Sequence, residues 1–126
     1  VYEKDKRVDV IGSGSLQRHY FVEWGVNLLG YAHGDTGRLN DLPGLMSSSM
    51  PEAWGRTTHR AWKTGHRHSS AQFEKNGVQI RCLPALIKQN LWASNMGYHP
   101  TWSGGEADVY DKKIGHVATL FEKARD

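Results

Sequence analysis

The sequence predicts a single α/β domain that is rich in strands, and three observations lead to this prediction. The chain has 126 residues, the length of one ordinary domain. Its composition, 38% hydrophobic and 23% charged, is sufficient for a globular core. Short apolar runs alternate with glycine-containing turns, whereas one segment has helical spacing. We therefore expect residues 1–126 to form one domain built mainly from strands, with one or two helices.

Two strands are predicted near the start of the chain. Residues 17–24 are rich in aromatic side chains, and residues 26–33 are almost continuously apolar, with Gly25 between them. Two such runs around a glycine are typical of an antiparallel hairpin. A strand that is apolar throughout is covered on both faces, so we expect the second strand in the interior of a layered fold.

A helix is predicted over residues 39–49, because leucine and methionine recur there at helical spacing. Asn40 or Asp41 would cap it, and Pro43 fits only in its first turn. Pro51 ends this helix and starts a second short helical segment. Further strands are predicted at residues 59–64, in a hairpin around Asn76-Gly77 (70–74 and 78–83), and in a last hairpin (107–110 and 117–121). A helical stretch is expected within 84–96 and a loop over 97–105.

Several classes of protein are excluded by composition. No run of eighteen apolar residues is present, which argues against a membrane span or a membrane partner. Residues 1–7 lack the apolar segment of a secretory signal. Cys82 is the only cysteine, so no intrachain disulfide can form and a thiolate zinc cage is excluded. We expect a cytoplasmic protein.

The charge distribution favours an anionic ligand. The net charge is only +3, but no acidic residue occurs between Glu52 and Glu74. That interval contains four cations and three histidines: Arg56, Arg60, Lys63, Arg67, His59, His66 and His68. Phosphate is the first candidate for such a segment, with Arg60, Lys63 and Arg67 as its ligands. A solvated basic face is the alternative interpretation.

The segment Gly65-His66-Arg67-His68 is the clearest indication of metal chemistry. Two histidines separated by one residue lie on the same side of an extended strand, whereas in a tight loop they can diverge towards two neighbouring ions. Neutral imidazole is a ligand for zinc, manganese, iron and nickel. His33, at the end of the predicted interior strand, is the candidate third ligand. As alternatives, His66 and His68 are ordinary surface residues and His33 a hydrogen-bonded histidine at a strand end.

Taken in order, these motifs resemble the carboxyl half of a calcineurin-like metallophosphoesterase, closest to the versions found in bacteriophage genomes. The resemblance covers residues 20–120. It is carried by six segments: His33-Gly34-Asp35, Asp41-Leu42-Pro43-Gly44-Leu45-Met46, Trp54-Gly55, Trp62-Lys63-Thr64-Gly65-His66-Arg67-His68, Arg81-Cys82-Leu83-Pro84-Ala85-Leu86 and Asn95-Met96-Gly97-Tyr98.

The resemblance implies a hydrolase with the four-layer α/β/β/α sandwich and two divalent ions, which are manganese, zinc, iron or nickel. By the family pattern, His33 and His66 bind one ion and His68 binds the other. A hydroxide that bridges the ions attacks phosphorus in a phosphate ester, with nucleic acid as one substrate class. We further hypothesise that Asp35 orients an imidazole from the same loop as His33.

Three motifs of that family are absent from the sequence: Asp-x-His, an earlier Gly-Asp, and Gly-Asn-His. The bridging aspartate and the catalytic histidine belong to these motifs, so no catalytic residue is expected in this chain. Three neutral imidazoles cannot offset two divalent cations, and we therefore expect the chain alone to bind at most one ion. The chain is expected to be the carboxyl-terminal part of a domain, completed by an amino-terminal half or by self-association.

Two other functions are compatible with the same residues. One is a non-catalytic module that binds anions or nucleic acid through Arg56, Arg60, Lys63 and Arg67. The other is a mononuclear zinc hydrolase with His33, His66 and His68 as ligands, because open catalytic zinc sites use three protein ligands.

Overall fold

The computed structural model describes residues 5–10, 16–68, 70–86, 95 and 102–124. These residues form seven strands, two α-helices and a 3-10 turn at Leu39–Asp41. The helices, α1 (Leu42–Ser49) and α2 (Pro51–Arg56), lie between the second and third strands. The strands are β1 (His19–Trp24), β2 (Asn27–Ala32), β3 (His59–Thr64), β4 (Ala71–Lys75), β5 (Val78–Cys82), β6 (Gly104–Asp111) and β7 (Gly115–Lys123). The predicted strand-rich α/β class is confirmed.

Five strands form one sheet in the order β1-β2-β3-β5-β4. The three central strands, β2, β3 and β5, run parallel, and β1 and β4 pair antiparallel at the two edges. The first four residues of β2, residues 27–30, are all buried, as predicted for an interior strand. β6 and β7 form a separate two-stranded antiparallel sheet.

The predicted hairpins are confirmed. β1 and β2 pair with Trp24 opposite Asn27, on either side of the turn at Gly25. Between β4 and β5, Asn76 and Gly77 have φ angles of 52° and 71°. Positive φ at both central residues is the geometry of a two-residue hairpin turn, which asparagine and glycine adopt most easily.

The predicted helical segment divides in two. Residues 39–41 form the 3-10 turn, and α1 begins at Leu42 with Pro43 in its first turn. Proline is tolerated there because the first amides of a helix have no acceptor within the helix. Asp41 occupies the N-cap position of α1, as predicted, although its side chain makes no capping hydrogen bond.

The helices cover one face of the five-stranded sheet. Leu28, Trp62 and Ile80, from three adjacent strands, are fully buried in a cluster with Met46 of α1. The indole Nε1 of Trp62 donates a hydrogen bond of 2.9 Å to the carbonyl of Leu42. This face is the principal apolar core of the described residues.

The β6–β7 hairpin covers the opposite face, and its contacts are polar. The side chains that alternate with the core residues point towards it: Lys63 forms an ion pair with Asp108, and Arg81 forms one with Glu106. Asn27 is fully buried and donates 3.0 Å to the carbonyl of Asp111. The described residues therefore form three layers: helices, sheet and hairpin.

Two predicted segments near the carboxyl end are only partly described. The loop predicted over residues 97–105 is wrong at Gly104 and Gly105, which belong to β6, and residues 97–101 lie outside the described part. The helical stretch predicted within 84–96 falls mostly on residues that are not described. Within the described ranges, none of the helices is both long and apolar enough to cross a membrane. Cys82 is buried and unpaired.

Candidate functional site

The predicted metal ligands His33 and His66 follow neighbouring parallel strands. In the β2–β3 pairing Ala32 lies opposite Thr64, so the chain leaves both strands at the same level of the sheet. His33 comes directly after β2, and Gly65-His66 comes directly after β3. Loops at the carboxyl ends of parallel strands meet at one edge, which is where α/β folds usually bind ligands.

Glycine allows these two loops to approach each other closely. Gly34 has a φ of 92°, and a Cβ atom there would lie 3.1 Å from the carbonyl oxygen of Gly65. The amide of Gly65 donates 3.0 Å to the carbonyl of His33. A side chain at position 34 would force the two loops apart. The backbone of Gly34 is left-handed, and the atom nearest to the added Cβ would be a backbone oxygen rather than part of a flexible side chain.

The imidazoles of His33 and His66 are in contact. Nδ1 of His66 lies 3.0 Å from Nε2 of His33, and the ring planes meet at 72°. His66 has a φ of 65°, a left-handed conformation that costs a residue with a side chain about 1–2 kcal/mol. The loop therefore adopts an unfavourable backbone conformation at the residue that meets His33. Both residues are exposed, so a ligand can reach the pair.

The third predicted ligand, His68, also has a left-handed backbone, with a φ of 52°. Among the described residues, no group of three or more His, Cys, Asp or Glu side chains is arranged to hold a metal ion. The structure thus pairs two of the three predicted ligands. The carboxylate of Asp35, predicted to orient an imidazole, lies 3.6 Å from the guanidinium of Arg18.

Two of the three predicted phosphate ligands are engaged within the protein. The guanidinium of Arg60 lies 4.1 Å from the centre of the Trp54 ring and donates 2.6 Å to the carbonyl of the same residue. Lys63 is 11% exposed and is paired with Asp108. Phosphate binding by either cation would require these contacts to be given up. Arg67, the third, is exposed in the loop between the two histidines.

An open groove of about 470 Å³ lies beside the histidine pair. Its lining includes three predicted residues, His33, Asp35 and Lys63, and several that sequence reasoning missed. The missed residues include Arg18, Tyr20, Tyr31 and Leu83. Strand alternation could have indicated the tyrosines, because Tyr20 and Tyr31 face each other in the predicted hairpin.

The groove lies at the open end of a row of side chains that crosses the whole sheet. Strand pairing aligns one residue from each strand: Tyr20, Tyr31, Lys63, Arg81 and Gln72. At the Arg81 end of the row, the hairpin covers the side chains and Arg81 also contacts Gln72. At the tyrosine end the row is open, and Tyr31 is 39% exposed.

Asp108 is the electrostatic centre of the covered part of this row. It accepts a hydrogen bond of 2.6 Å from Thr119 and lies 3.2 Å from Nε2 of His116, in addition to pairing with Lys63. Burial raises the pKa of Asp108, but hydrogen bonds from Lys63 and Thr119 and the nearby positive charges outweigh burial and leave this pKa below its usual value. Burial, with a smaller effect of the Asp108 charge, raises the pKa of Tyr31.

Comparison of the chain with protein-family models, curated proteins and solved structures found no match in any of the three. The resemblance to metallophosphoesterases therefore rests on the motif residues of the sequence alone.

Proposed function

We propose that this chain supplies the carboxyl-terminal metal ligands of a metal-dependent phosphoesterase that hydrolyses phosphodiesters. The observation that carries this proposal is the contact between His33 and His66 beside an open groove. These two residues come from separate loops, and the shared sheet edge brings them together. A lone upstream histidine and the first histidine of Gly-His-x-His are the pair that the resemblance assigns to one ion.

The two nitrogens of the pair lie at a hydrogen-bonding distance that one divalent cation could also bridge. Two nitrogens that each lie about 2.1 Å from an ion are about 3.0 Å apart at a right angle and about 3.4 Å apart at a tetrahedral angle. The observed separation of 3.0 Å falls at the lower value. His33 and His66 would hold this ion, and His68 would contribute to a second one. When bound, the ions supply Lewis-acid activation of a phosphoryl oxygen and of the attacking water.

The remaining residues of the site orient the substrate. Arg67 is exposed next to His66 and His68, and we assign it as the phosphate ligand of the predicted set. A guanidinium suits this role because it presents two parallel N–H donors to phosphate oxygens. The assignments of Arg60 and Lys63 are weaker, because each is already bound to a carbonyl or a carboxylate.

The charge of the site requires further ligands from outside this chain. Neutral imidazoles do not compensate two divalent cations that lie close together, and a bridging carboxylate normally does so. The proposed enzyme therefore needs an amino-terminal half, or a second copy of the chain, to complete both its ligands and the four-layer sandwich. The chain by itself would bind at most one ion.

Binding of Mn²⁺ and Zn²⁺ by the 126-residue chain, measured by titration calorimetry, tests the proposal. His33→Ala and His66→Ala should each weaken binding at least about tenfold, since each removes one of few ligands. His116→Gln is the matched control, because His116 belongs to β7 of the hairpin and contacts Asp108 rather than the histidine pair. Equal affinity in the His33→Ala variant and the unchanged chain would refute the metal site.

The non-catalytic alternative is less well supported by the contacts of its cations. Arg56 forms an ion pair of 2.9 Å with Glu23, Arg60 binds two carbonyls and Lys63 pairs with Asp108. Three of the four cations named for this alternative are therefore already engaged within the chain. A mononuclear zinc site would require His68 to join His33 and His66. Tight binding of one zinc ion per chain that is lost in the His68→Ala variant would reveal such a site.

A further inference from the structure

Two tyrosines form the open end of the side-chain row beside the histidine pair. Tyr20 and Tyr31 are directly opposite in the β1–β2 pairing and both line the groove. Directly opposed residues in an antiparallel pair have Cβ atoms about 4.5–5.5 Å apart and lie on the same face. The structure thus places two aromatic side chains next to each other at the surface of the sheet.

The hairpin that covers the rest of the row leaves part of Tyr31 accessible. Asp108 and Glu106 of β6 pair with Lys63 and Arg81, the next two members of the row. Tyr31, by contrast, is 39% exposed. The exposed part of Tyr31, together with the half-buried Tyr20 beside it, is available to a flat apolar ligand.

The position of the tyrosines relative to His33 indicates what that ligand is. Tyr31 precedes His33 by two residues, which in an extended strand corresponds to about 7 Å. A sugar spans a similar distance between its phosphate and its base. Arg18, whose side chain is 68% exposed, lines the same groove and would supply a cation for a neighbouring phosphate if it left Asp35, 3.6 Å away.

We infer that the groove binds a nucleobase on Tyr20 and Tyr31, so that the phosphoester held at His33 and His66 belongs to a nucleotide or to single-stranded nucleic acid. This inference rests on the proposed phosphoesterase function for the phosphate end of the groove. Aromatic side chains stack on every base through its π-face, so the groove should bind bases with little sequence preference. A duplex should bind poorly, because its bases already stack on one another.

Fluorescence anisotropy with the 126-residue chain tests this inference. The probes are a labelled oligothymidylate, an abasic oligomer of equal length and charge, and a duplex of the same length. The oligothymidylate should bind roughly tenfold more tightly than the abasic oligomer. Tyr20→Leu and Tyr31→Leu should remove this difference, and Tyr31→Phe, which keeps the ring, should retain it. Competition by thymidine monophosphate distinguishes a free nucleotide from a strand as the preferred ligand.

Trp24→Leu is the matched control. Trp24 is an exposed aromatic residue on the same strand and face as Tyr20, but it lies at the far end of β1 and outside the groove. Its substitution should leave the preference for thymidylate unchanged. Equal affinity of the unchanged chain for the thymidylate and abasic oligomers would overturn the inference without any substitution. A preference for bases that persists while His33→Ala leaves metal affinity unchanged would instead refute the proposed function alone.

Discussion

Substitution of Gly30 by alanine should destabilise the fold strongly, although alanine is normally the better residue in a strand. Gly30 lies in the middle of β2, and Trp62 of the neighbouring strand packs directly over it. A Cβ atom at position 30 would lie 2.6 Å from Cδ2 and 2.7 Å from Cε3 of the indole ring. The indole of Trp62 therefore occupies the space that a side chain at position 30 would need.

The size of the effect follows from how far the ring must move. Carbon atoms in contact are normally about 3.5–4.0 Å apart, so the indole would have to shift by about 1 Å. Trp62 is fully buried, and a shift of its ring would disturb the hydrogen bond of 2.9 Å to Leu42. Overpacking and the weakened hydrogen bond of the buried indole both destabilise the fold, whereas replacing glycine by alanine in a strand normally stabilises it slightly. Together these effects should lower the free energy of unfolding by about 2–4 kcal/mol.

Urea denaturation followed by far-UV circular dichroism measures this loss, and the melting temperature should fall by roughly 8–15 °C. Gly44→Ala is the control, because a Cβ atom at that position in α1 would meet no atom within 4 Å. This variant should be more stable by about 0.5–1 kcal/mol. A Gly30→Ala protein that unfolds at the same urea concentration as the unchanged chain would refute the argument about packing.

Three further changes test other parts of the fold. Glu106→Ala should lower the free energy of unfolding by about 3 kcal/mol, because Glu106 is 2% exposed and its removal leaves the guanidinium of Arg81 without its carboxylate partner. Arg56→Ala, which removes an exposed pair, should have a much smaller effect in the same urea titration. Burial, followed by the charges of His116 and Lys63, lowers the pKa of His59 in the folded chain. Below a pH of about 6.5 the unfolded chain binds a proton at His59 more readily than the folded chain does, so the free energy of unfolding should fall until the pH reaches the lowered pKa. His59→Leu should reduce this loss in melts recorded across that pH range, and an unchanged pH dependence would exclude His59 as its source. Asn76→Ala should cost about 1 kcal/mol, because φ is 52° there, whereas Asn76→Gly should unfold close to the unchanged chain.

The strands and their turns could be predicted from the sequence because local signals determine them. The Asn76-Gly77 turn, Pro43 at the start of α1 and the apolar run of β2 each act through their immediate neighbours. The pairing of His33 with His66 was also foreseeable, once two parallel strands were placed side by side.

The face on which each strand packs could not be predicted in the same way. In β6 the carboxylates of Glu106 and Asp108 point inward and Val109 is 45% exposed, the reverse of the usual alternation. The reason lies in Lys63 and Arg81, which are distant in sequence and supply the opposite charges. The same distance concealed the groove, because Arg18 and the tyrosines belong to it only after the sheet has formed.

The polar inner surface of the β6–β7 hairpin has a consequence for how the molecule opens. The helices are held to the sheet by apolar burial, whereas the hairpin contributes two largely buried carboxylates that pair with Lys63 and Arg81. Acid that protonates these carboxylates should therefore loosen the hairpin before the helices, so that amides of the outer layer exchange with deuterium first while those of β2 and β3 stay protected. The strands that carry His33 and His66 would then keep their arrangement through such partial opening.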